Sequence, residues 1–130
     1  MYGKLEIFQI AQGLAQHASA RQSAIATNVA NADSPGYRAR DIAPFAEVFD
    51  TGNTASSLRK TRAGHFEASG TSDTRFQTID RPGPSSPNGN TVSLETEMMK
   101  AVEVRHDHEM ALSVYQTSLG ILRTSLGRGR

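Results

Sequence analysis

A chain of 130 residues has the length of one domain, but at 37% hydrophobic and 6% aromatic residues it has few of the large side chains that dominate a core. Its formal net charge of +1 provides no broad cationic surface, which argues against a nucleic-acid partner. The absence of Cys excludes a disulfide framework, Cys-ligated zinc and a thiol nucleophile.

The first predicted element is a long helix from about Leu5 to Asn31. Small and apolar residues recur there at alternating steps of four and three, which places them along one side of a helix. We call this line of packing residues the predicted seam, and on the first helix it contains Ile7, Leu14 and Ile25, with Ala11, Ala18, Arg21, Asn28 and Ala32 at the positions between them.

The segment NVANADSPGYRARD, residues 28–41, ends this helix. Asn28 and Asn31 fall in its last turns, where their amides can bond exposed carbonyls or a partner backbone, and asparagine tolerates the left-handed conformation that ends helices. Pro35 cannot continue a helix, and Ser34 to Tyr37 fits a type II turn in which Gly36 takes the positive φ. From the pattern alone, an ordinary helix end is the simpler interpretation.

Residues 51–90 are rich in Gly, Ser, Thr, Asn and Pro and predict a loop with little core. We expect at most one small β-hairpin there, because TRFQTID alternates too weakly to predict a strand. Asp50-Thr51-Gly52 is the tripeptide of aspartic proteases, in which two carboxylates from a dimer share one proton. Such a site needs a β-rich scaffold, so we interpret the tripeptide as loop and keep a dimeric protease as the alternative from another class.

The C-terminal segment carries the clearest periodic signal, sustained over more than four heptads. Ser93 is the predicted N-cap, and Gly127 is the predicted end. The seam on this helix consists of Leu94, Met98, Leu112, Tyr115, Leu119, Leu122 and Leu126, with Ala101, Arg105 and His108 between them. It can cover the chain's own core or partner helices, and we favour partners because one short chain supplies only one other long helix.

No catalytic, cofactor-binding or metal-binding residue is predicted. His106 and His108 are two residues apart on a helix and point about 200° away from each other, so they cannot share one ion. Neither a G-x-S-x-G elbow nor a phosphate-binding glycine loop occurs.

These elements predict a mostly α fold, in which two long terminal helices form an antiparallel, coiled-coil-like hairpin joined by a long irregular linker. If Ala32 lies near Leu94, Arg21 falls near residues 105–109, with Glu109 or His108 as its neighbour. Because such a thin hairpin buries little apolar surface, we expect the purified chain to be only partly folded.

The same segment 28–41 resembles the N-terminal signature of flagellar rod and hook proteins, a helix that ends in Asn-x-Ala-Asn before a Ser/Thr-Pro-Gly-Tyr/Phe-Lys/Arg turn. The matching residues are Asn28, Ala30, Asn31, Ser34, Pro35, Gly36, Tyr37 and Arg38. The short length and the segments LRKTRAGHF and NGNTVSLETEMMKAVEV are most similar to the small proximal rod subunits of that family.

The resemblance implies a structural subunit of the proximal rod, the drive shaft that transmits torque across the periplasm. Its implied partners are copies of itself, FlgC-like and other axial rod proteins, a FliE-like adaptor at the rod base and the flagellar type III export apparatus, with no nucleic acid and no small-molecule substrate. Export would occur without a cleavable signal peptide, and none is visible in the first twenty residues. Another small axial protein such as FlgC is the alternative within the family.

The resemblance also implies how the chain is divided. Both terminal helices belong to the inner helical layer, and the signature turn carries the chain to the outer layer at a fixed angle. The expected segments are the N-terminal helix 1–33, the turn and short connection 34–50, the linker 51–90 and the C-terminal helix 91–130.

Overall fold

A computed structural model describes residues 2–54 and 76–127, and two long helices dominate this part of the chain. Helix α1 spans Tyr2–Ala30, and helix α3 spans Leu94–Gly127. They run antiparallel, because Asn28 bonds Glu97 while Phe8 packs on Tyr115. The predicted mostly α hairpin is therefore confirmed. The segment LRKTRAGHF lies outside the described residues.

Small side chains form most of the contact between α1 and α3. Ala18, Ile25 and Val104 make the core cluster, with Ala101 packed against it. Buried apolar residues recur every seven residues on both helices, as Ala11, Ala18 and Ile25 on α1 and as Val104 and Ala111 on α3. Near the other end of the hairpin, the rings of Phe8 and Tyr115 meet edge to face with centroids 5.2 Å apart. The hairpin thus buries little apolar surface for its length.

A two-stranded antiparallel sheet lies beside the hairpin. Strand β1 spans Arg40–Ile42 and pairs with strand β2, Thr78–Asp80, so that Arg40 faces Asp80. At most one small hairpin was expected within residues 51–90, but β1 lies before that segment, and the pairing of β1 with β2 is long-range. It brings the chain that leaves the signature turn next to the chain that returns toward α3.

A short helix, α2, spans Phe45–Thr54, where the sequence predicted a connection and then loop. It begins after Pro44, whose carbonyl accepts the N–H groups of Glu47 and Val48 at 3.1 and 3.2 Å. The backbone of Asp50-Thr51-Gly52 is consequently helical, and the loop interpretation is wrong. The described sheet has only two strands of three residues, so the β-rich scaffold of an aspartic protease is missing from the described part of the chain.

His17 on α1 holds this connection against the hairpin. Its Nε2 donates to the carbonyl of Ala43 at 2.8 Å, and its ring lies edge-on to Phe45 and Phe76 with centroids 5.6 Å away in both pairs. Gly13 lies one turn earlier, where an added Cβ would sit 3.4 Å from the Phe45 ring. The glycine therefore faces a packed aromatic ring.

Candidate functional site

Asn28 lies at the point where the hairpin, the signature turn and the sheet meet. Its Nδ2 donates to the carbonyl of Arg40 at 2.7 Å and to Glu97 Oε2 at 3.0 Å. Its Oδ1 accepts the backbone N–H of Arg40 at 2.9 Å and the Tyr37 hydroxyl at 3.2 Å. The side chain is fully buried, and both donors and both acceptor sites of the amide are used. One residue thus joins α1, β1, α3 and the turn.

Two carboxylates continue this network among basic side chains. Glu97 is fully buried and accepts hydrogen bonds from Asn28 and from Arg81 Nη2. Arg81 Nη1 is buried without a hydrogen bond but lies 3.8 Å from Asp41 Oδ2. We call Asn28, Asp41, Arg81 and Glu97 the polar core. Charged groups this deep are stable only because each faces an opposite charge.

Asp41 is the most highly connected carboxylate of the polar core. It accepts hydrogen bonds from Lys100 Nζ, from Arg21 Nε at 3.2 Å and from the Ile42 backbone N–H at 2.8 Å. Burial raises the pKa of Asp41, but the hydrogen bonds from Lys100, Ile42 and Arg21 outweigh burial and hold the pKa below its ordinary value of 3.8. The carboxylate is therefore stabilised in its charged form.

Arg21 does not have the neighbour predicted for it. Besides Asp41, its Nη1 lies 3.8 Å from Glu103, two residues before the predicted stretch 105–109. The prediction of Glu109 or His108 is wrong, and Glu109 instead lies 3.7 Å from Arg105 on the same helix. The antiparallel direction is as predicted, but the relative alignment of the helices differs by about two residues, a difference that apolar spacing alone could not resolve.

The signature turn has the predicted type II features. Tyr37 N–H donates to the Ser34 carbonyl at 3.3 Å, and Gly36 has a φ of 72°. The segment that precedes α3 binds the turn through two hydrogen bonds. Gly36 N–H donates to the Asn88 carbonyl and Thr91 N–H donates to the Tyr37 carbonyl, both at 3.0 Å. We call this pair of hydrogen bonds the clasp around Gly36. The two ends of the non-helical region are thereby fixed to each other.

Asn31 closes the helix with its side chain, as predicted. Its Nδ2 donates to the Thr27 carbonyl at 2.8 Å, and its Oδ1 accepts the Ser34 hydroxyl at 3.2 Å. Neither signature asparagine adopts the left-handed conformation that the sequence analysis considered, because positive φ in the described chain occurs only at Gly36 and Gly89. The remaining signature residues Ala30, Pro35 and Arg38 are exposed.

Asn90 is a site residue that the sequence pattern did not predict. Its Nδ2 donates to the carbonyls of Asn31, Ala32 and Ser34 at 2.9, 2.7 and 2.9 Å, and its Oδ1 accepts Val92 N–H at 2.7 Å. The carbonyls of Asn31 and Ser34 also accept the N–H groups of Ser34 and Tyr37, so the Asn90 amide adds a second partner to each of them where the chain leaves α1. Asn90 lies in the segment NGNTVSL, but its bonding partners lie 56 to 59 residues earlier, so local spacing gave no signal.

The structure divides the predicted seam into covered and uncovered residues. On α3 the buried positions are Glu97, Val104 and Ala111, each one residue before a predicted seam position. Among the predicted seam residues, Ile25 is buried, Leu14, Leu119 and Leu122 are half-buried, and Ile7, Leu94, Met98, Leu112, Tyr115 and Leu126 are exposed. The contact within the chain therefore leaves much of the predicted line uncovered.

Six of the exposed apolar residues of α3 form two patches, and Met99, Leu112, Tyr115 and Leu126 are exposed outside them. The first patch consists of Leu94, Met98 and Val102, of which Met98 is 69% exposed and Val102 72% exposed. The second patch consists of Met110, Val114 and Ile121. At 100° per residue the centres of the two patches point about 140° apart around the helix axis. Uncovered apolar surface thus faces two different directions.

Chemistry other than packing has little support in the described residues. No group of three or more His, Cys, Asp or Glu there is placed to hold a metal ion. His106 is exposed, and His108 is half-buried beside a groove of about 480 Å³ between α1 and α3. No described helix combines the length and apolarity that a membrane span requires.

Comparison with known proteins agrees with the signature at the end of α1. Residues 8–38 match the family described as flagella basal body rod protein. The chain is 28% identical over 116 residues to the flagellar basal body rod protein FlgB of Agrobacterium fabrum, covering 87% of each chain. It is 34% identical over 103 residues to FlgB of Escherichia coli K12, covering 72% of each chain. It is 31% identical over 106 residues to FlgB of Cereibacter sphaeroides ATH 2.4.1, covering 82% of each chain.

Proposed function

The chain belongs to the family of flagellar basal body rod proteins of the FlgB type, and from this premise we propose that it builds the proximal rod together with copies of itself and other axial subunits. A rod subunit is a structural protein. The finer parts of the proposal are FlgC-like neighbours, a FliE-like adaptor at the rod base, passage through the type III export apparatus and a final place in the periplasm.

The two apolar patches on α3 carry this proposal. Isolated exposed apolar residues are ordinary, but a row such as Leu94, Met98 and Val102 on one helix is typical of an interaction surface. A subunit that has unlike patches about 140° apart can contact neighbours on two sides. Contacts between unlike surfaces produce rings or open helical arrays rather than closed pairs, which suits a rod.

In the same proposal, the signature residues connect the two layers of the rod. The polar core and the clasp around Gly36 hold the chain after α1 in one direction relative to the hairpin. Residues 1–33 and 91–130 would then form the inner helical layer, while residues 34–90 lie outside it. A fixed angle between the layers lets every copy present the same outer surface to its neighbours.

The proposal includes no catalytic role. Asn28, Asp41 and Glu97 of the polar core are buried and Arg81 is half-buried, and the charged groups are engaged by one another and by Lys100. Such an arrangement stabilises a fold and offers no accessible acid, base or nucleophile to a substrate. Of the polar signature side chains, Asn28, Asn31, Ser34 and Tyr37 are likewise bonded within the chain.

Substitution of the first patch tests the proposal. Met98→Asp is expected to reduce incorporation into isolated basal bodies and swimming, because a charge would have to be buried between subunits. His106→Asp introduces the same group at an exposed polar position of α3 and is the matched control. Leu119 is a less suitable probe, because it is half-buried within the chain.

Both variants should retain the helical circular dichroism of the parent chain, since neither side chain is buried. Immunoblots of purified basal bodies and swimming in soft agar measure the outcome. Normal incorporation of Met98→Asp, or equal loss in the His106→Asp control, would contradict the assignment of this patch.

A further inference from the structure

Asn88 is the one asparagine of the sequence that precedes a glycine. In an Asn-Gly pair the glycine nitrogen can attack the side-chain Cγ of the asparagine, because no Cβ on the glycine hinders the approach. The Gly89 N–H proton and the side-chain NH₂ group then leave together as ammonia, and a cyclic succinimide forms. Water opens this ring at either carbonyl, which produces aspartate or isoaspartate. Asn88 and Gly89 are both exposed, so water has access to them.

The folded chain holds Asn88 in a turn that opposes this reaction. Gly89 N–H donates to the Ser86 carbonyl, and Ser86 N–H donates to the Asn90 carbonyl, both at 2.8 Å. With Pro87 at the second position, a negative φ at Asn88 and a φ of 81° at Gly89, these bonds define a type I turn that ends in a glycine bulge. Asn88 is the third residue of that turn, where ψ is about 0°.

Ring closure requires a different conformation of the Asn88 backbone. At a ψ of about 0° the Gly89 nitrogen is eclipsed with the backbone nitrogen of Asn88, whereas the succinimide ring requires it to be eclipsed with Cβ. Three hydrogen bonds resist the necessary rotation. Gly89 N–H donates to the Ser86 carbonyl, Asn90 N–H to Asn88 Oδ1 at 3.0 Å, and Gly36 N–H to the Asn88 carbonyl. The last of these bonds belongs to the clasp around Gly36.

We propose that Asn88 is a deamidation site, which the turn and the clasp around Gly36 keep unreactive and which reacts with water when the clasp opens. The two products differ in their effect on the fold. Aspartate keeps the main chain and an oxygen that accepts Asn90 N–H. In isoaspartate the main chain gains a methylene group, and the carbonyl that accepted Gly36 N–H becomes a free carboxylate. Opening of the clasp therefore exposes the signature turn to an irreversible loss of its restraint.

The proposal concerns the chain itself, so its test does not depend on assembly into a rod. The full chain is incubated at neutral pH, either in urea or in enough trimethylamine oxide for the helical circular dichroism to reach a plateau. Peptide mapping by mass spectrometry follows Asn88, since replacing an amide by an acid changes the mass. A peptide of residues 85–91, which contains no partner for the clasp, gives the intrinsic rate in both solutions.

In the osmolyte the chain should deamidate at Asn88 at least about tenfold more slowly than the peptide, because three hydrogen bonds must open first. In urea the two rates should agree. Equal rates of chain and peptide in the osmolyte would overturn the proposal, because folding would then give Asn88 no protection. This comparison uses the parent chain and needs no variant that has to fold.

Gly36→Val tests the clasp separately, because a β-branched residue strongly disfavours the φ of 72°. In the osmolyte it should bring the deamidation rate of the chain closer to that of the peptide. Gly120→Val is the matched control and should keep the parent rate, since Gly120 is exposed on α3 and an added Cβ meets nothing within 4 Å. A parent rate in Gly36→Val, or an equal increase in Gly120→Val, would show that the clasp does not protect Asn88.

The effect of the product on the clasp is measured by exchange of the Gly36 amide hydrogen. The isoaspartate form of the aged chain, separated by chromatography, should exchange this hydrogen faster than Asn88→Asp does. Asn88→Asp is the matched control, because it carries the same charge on an unaltered main chain. Equal exchange in the two proteins would contradict the loss of restraint.

Discussion

Asn90 should be one of the most sensitive positions in the chain, although nothing in its neighbourhood along the sequence marks it. Its amide makes four hydrogen bonds, three to carbonyls at the end of α1 and one from Val92 N–H, and the side chain is 2% exposed. Each hydrogen bond contributes about 1 kcal/mol net, and water can reach some of the freed carbonyls. Asn90→Ala is therefore expected to lower the free energy of unfolding by about 3 kcal/mol.

Two companion variants separate the amide from the loop that carries it. Asn90→Asp keeps the oxygen that accepts Val92 N–H but replaces the donor with a charge facing three carbonyls, so it should be at least as harmful as alanine. Asn88→Ala removes one hydrogen bond, which the Asn90 backbone N–H donates to Asn88 Oδ1, at an exposed position two residues away. This control should cost about 1 kcal/mol or less.

Thermal unfolding followed by circular dichroism in an osmolyte that stabilises the folded chain measures all three variants. Exchange of the Val92 amide hydrogen provides a local measurement, and it should accelerate in Asn90→Ala. If Asn90→Ala were no more harmful than Asn88→Ala, the end of α1 would not depend on this amide, and the reasoning would fail.

Gly36→Val should impair swimming and rod assembly more than Ser34→Ala does, because a β-branched residue strongly disfavours the φ of 72° found at Gly36; equal, normal swimming by both would contradict this. Gly13→Ala should raise the free energy of unfolding by up to about 1 kcal/mol, since alanine favours helix and its Cβ would only touch the Phe45 ring; a lower melting temperature would show a clash. The pKa of Asp41 is lowered by folding, so the stability that this carboxylate contributes is present above its ordinary value of 3.8 and is lost as the pH falls through the lowered value. In Asp41→Asn, the free energy of unfolding should fall less at acid pH than it does in the parent, as measured from unfolding curves at several pH values. An equal fall in both would exclude Asp41 as its source.

The sequence predicted the features that depend on local periodicity. The four-three spacing identified both long helices, and the order Ser-Pro-Gly-Tyr identified a turn with positive φ at Gly36. These signals are local because the spacing of side chains on a helix and the φ preference of glycine act within a few residues. The helix α2 was missed because Gly52 and Asn53 oppose helix locally, while packing of Phe45 on His17 and Gly13 supports it.

The polar core was beyond prediction because it depends on contacts between distant segments. Asn28 meets Glu97 across 69 residues, and Lys100 meets Asp41 across 59. In the sequence, Glu97 stands in the first turn of a helix, where an exposed acidic residue is common. The contact within the chain is made by Glu97, Val104 and Ala111, each one residue before a seam position, because a buried glutamate does not count as an apolar position in the sequence. The seam on α3 stays a prediction for contacts with partner helices.

The last prediction concerns how folding depends on assembly. Ordering the backbone costs roughly 1 to 2 kcal/mol per residue, whereas burial returns about 25 cal/mol per Å² of apolar surface. The contact between α1 and α3 is made largely by alanines, and Met98, Met99 and Val102 remain more than two-thirds exposed. The isolated chain should therefore be only partly folded at low concentration and gain helix when neighbours cover these residues.

Protection of the backbone amides from hydrogen exchange should also be uneven along α3 in the isolated chain. The polar core ties the first turns of α3 to the sheet and to the signature turn. In the half of α3 beyond Ala111, the described aromatic contact is that of Tyr115 with Phe8 of α1. Amide hydrogen exchange on dilute monomer should accordingly be slower near Val104 than near Ile121, and mixing with rod partners should slow exchange most near Ile121. Strong, uniform protection from Leu94 to Leu126 in a verified monomer would show that folding is complete without partners, and the uncovered apolar patches would then have to be explained by something other than assembly.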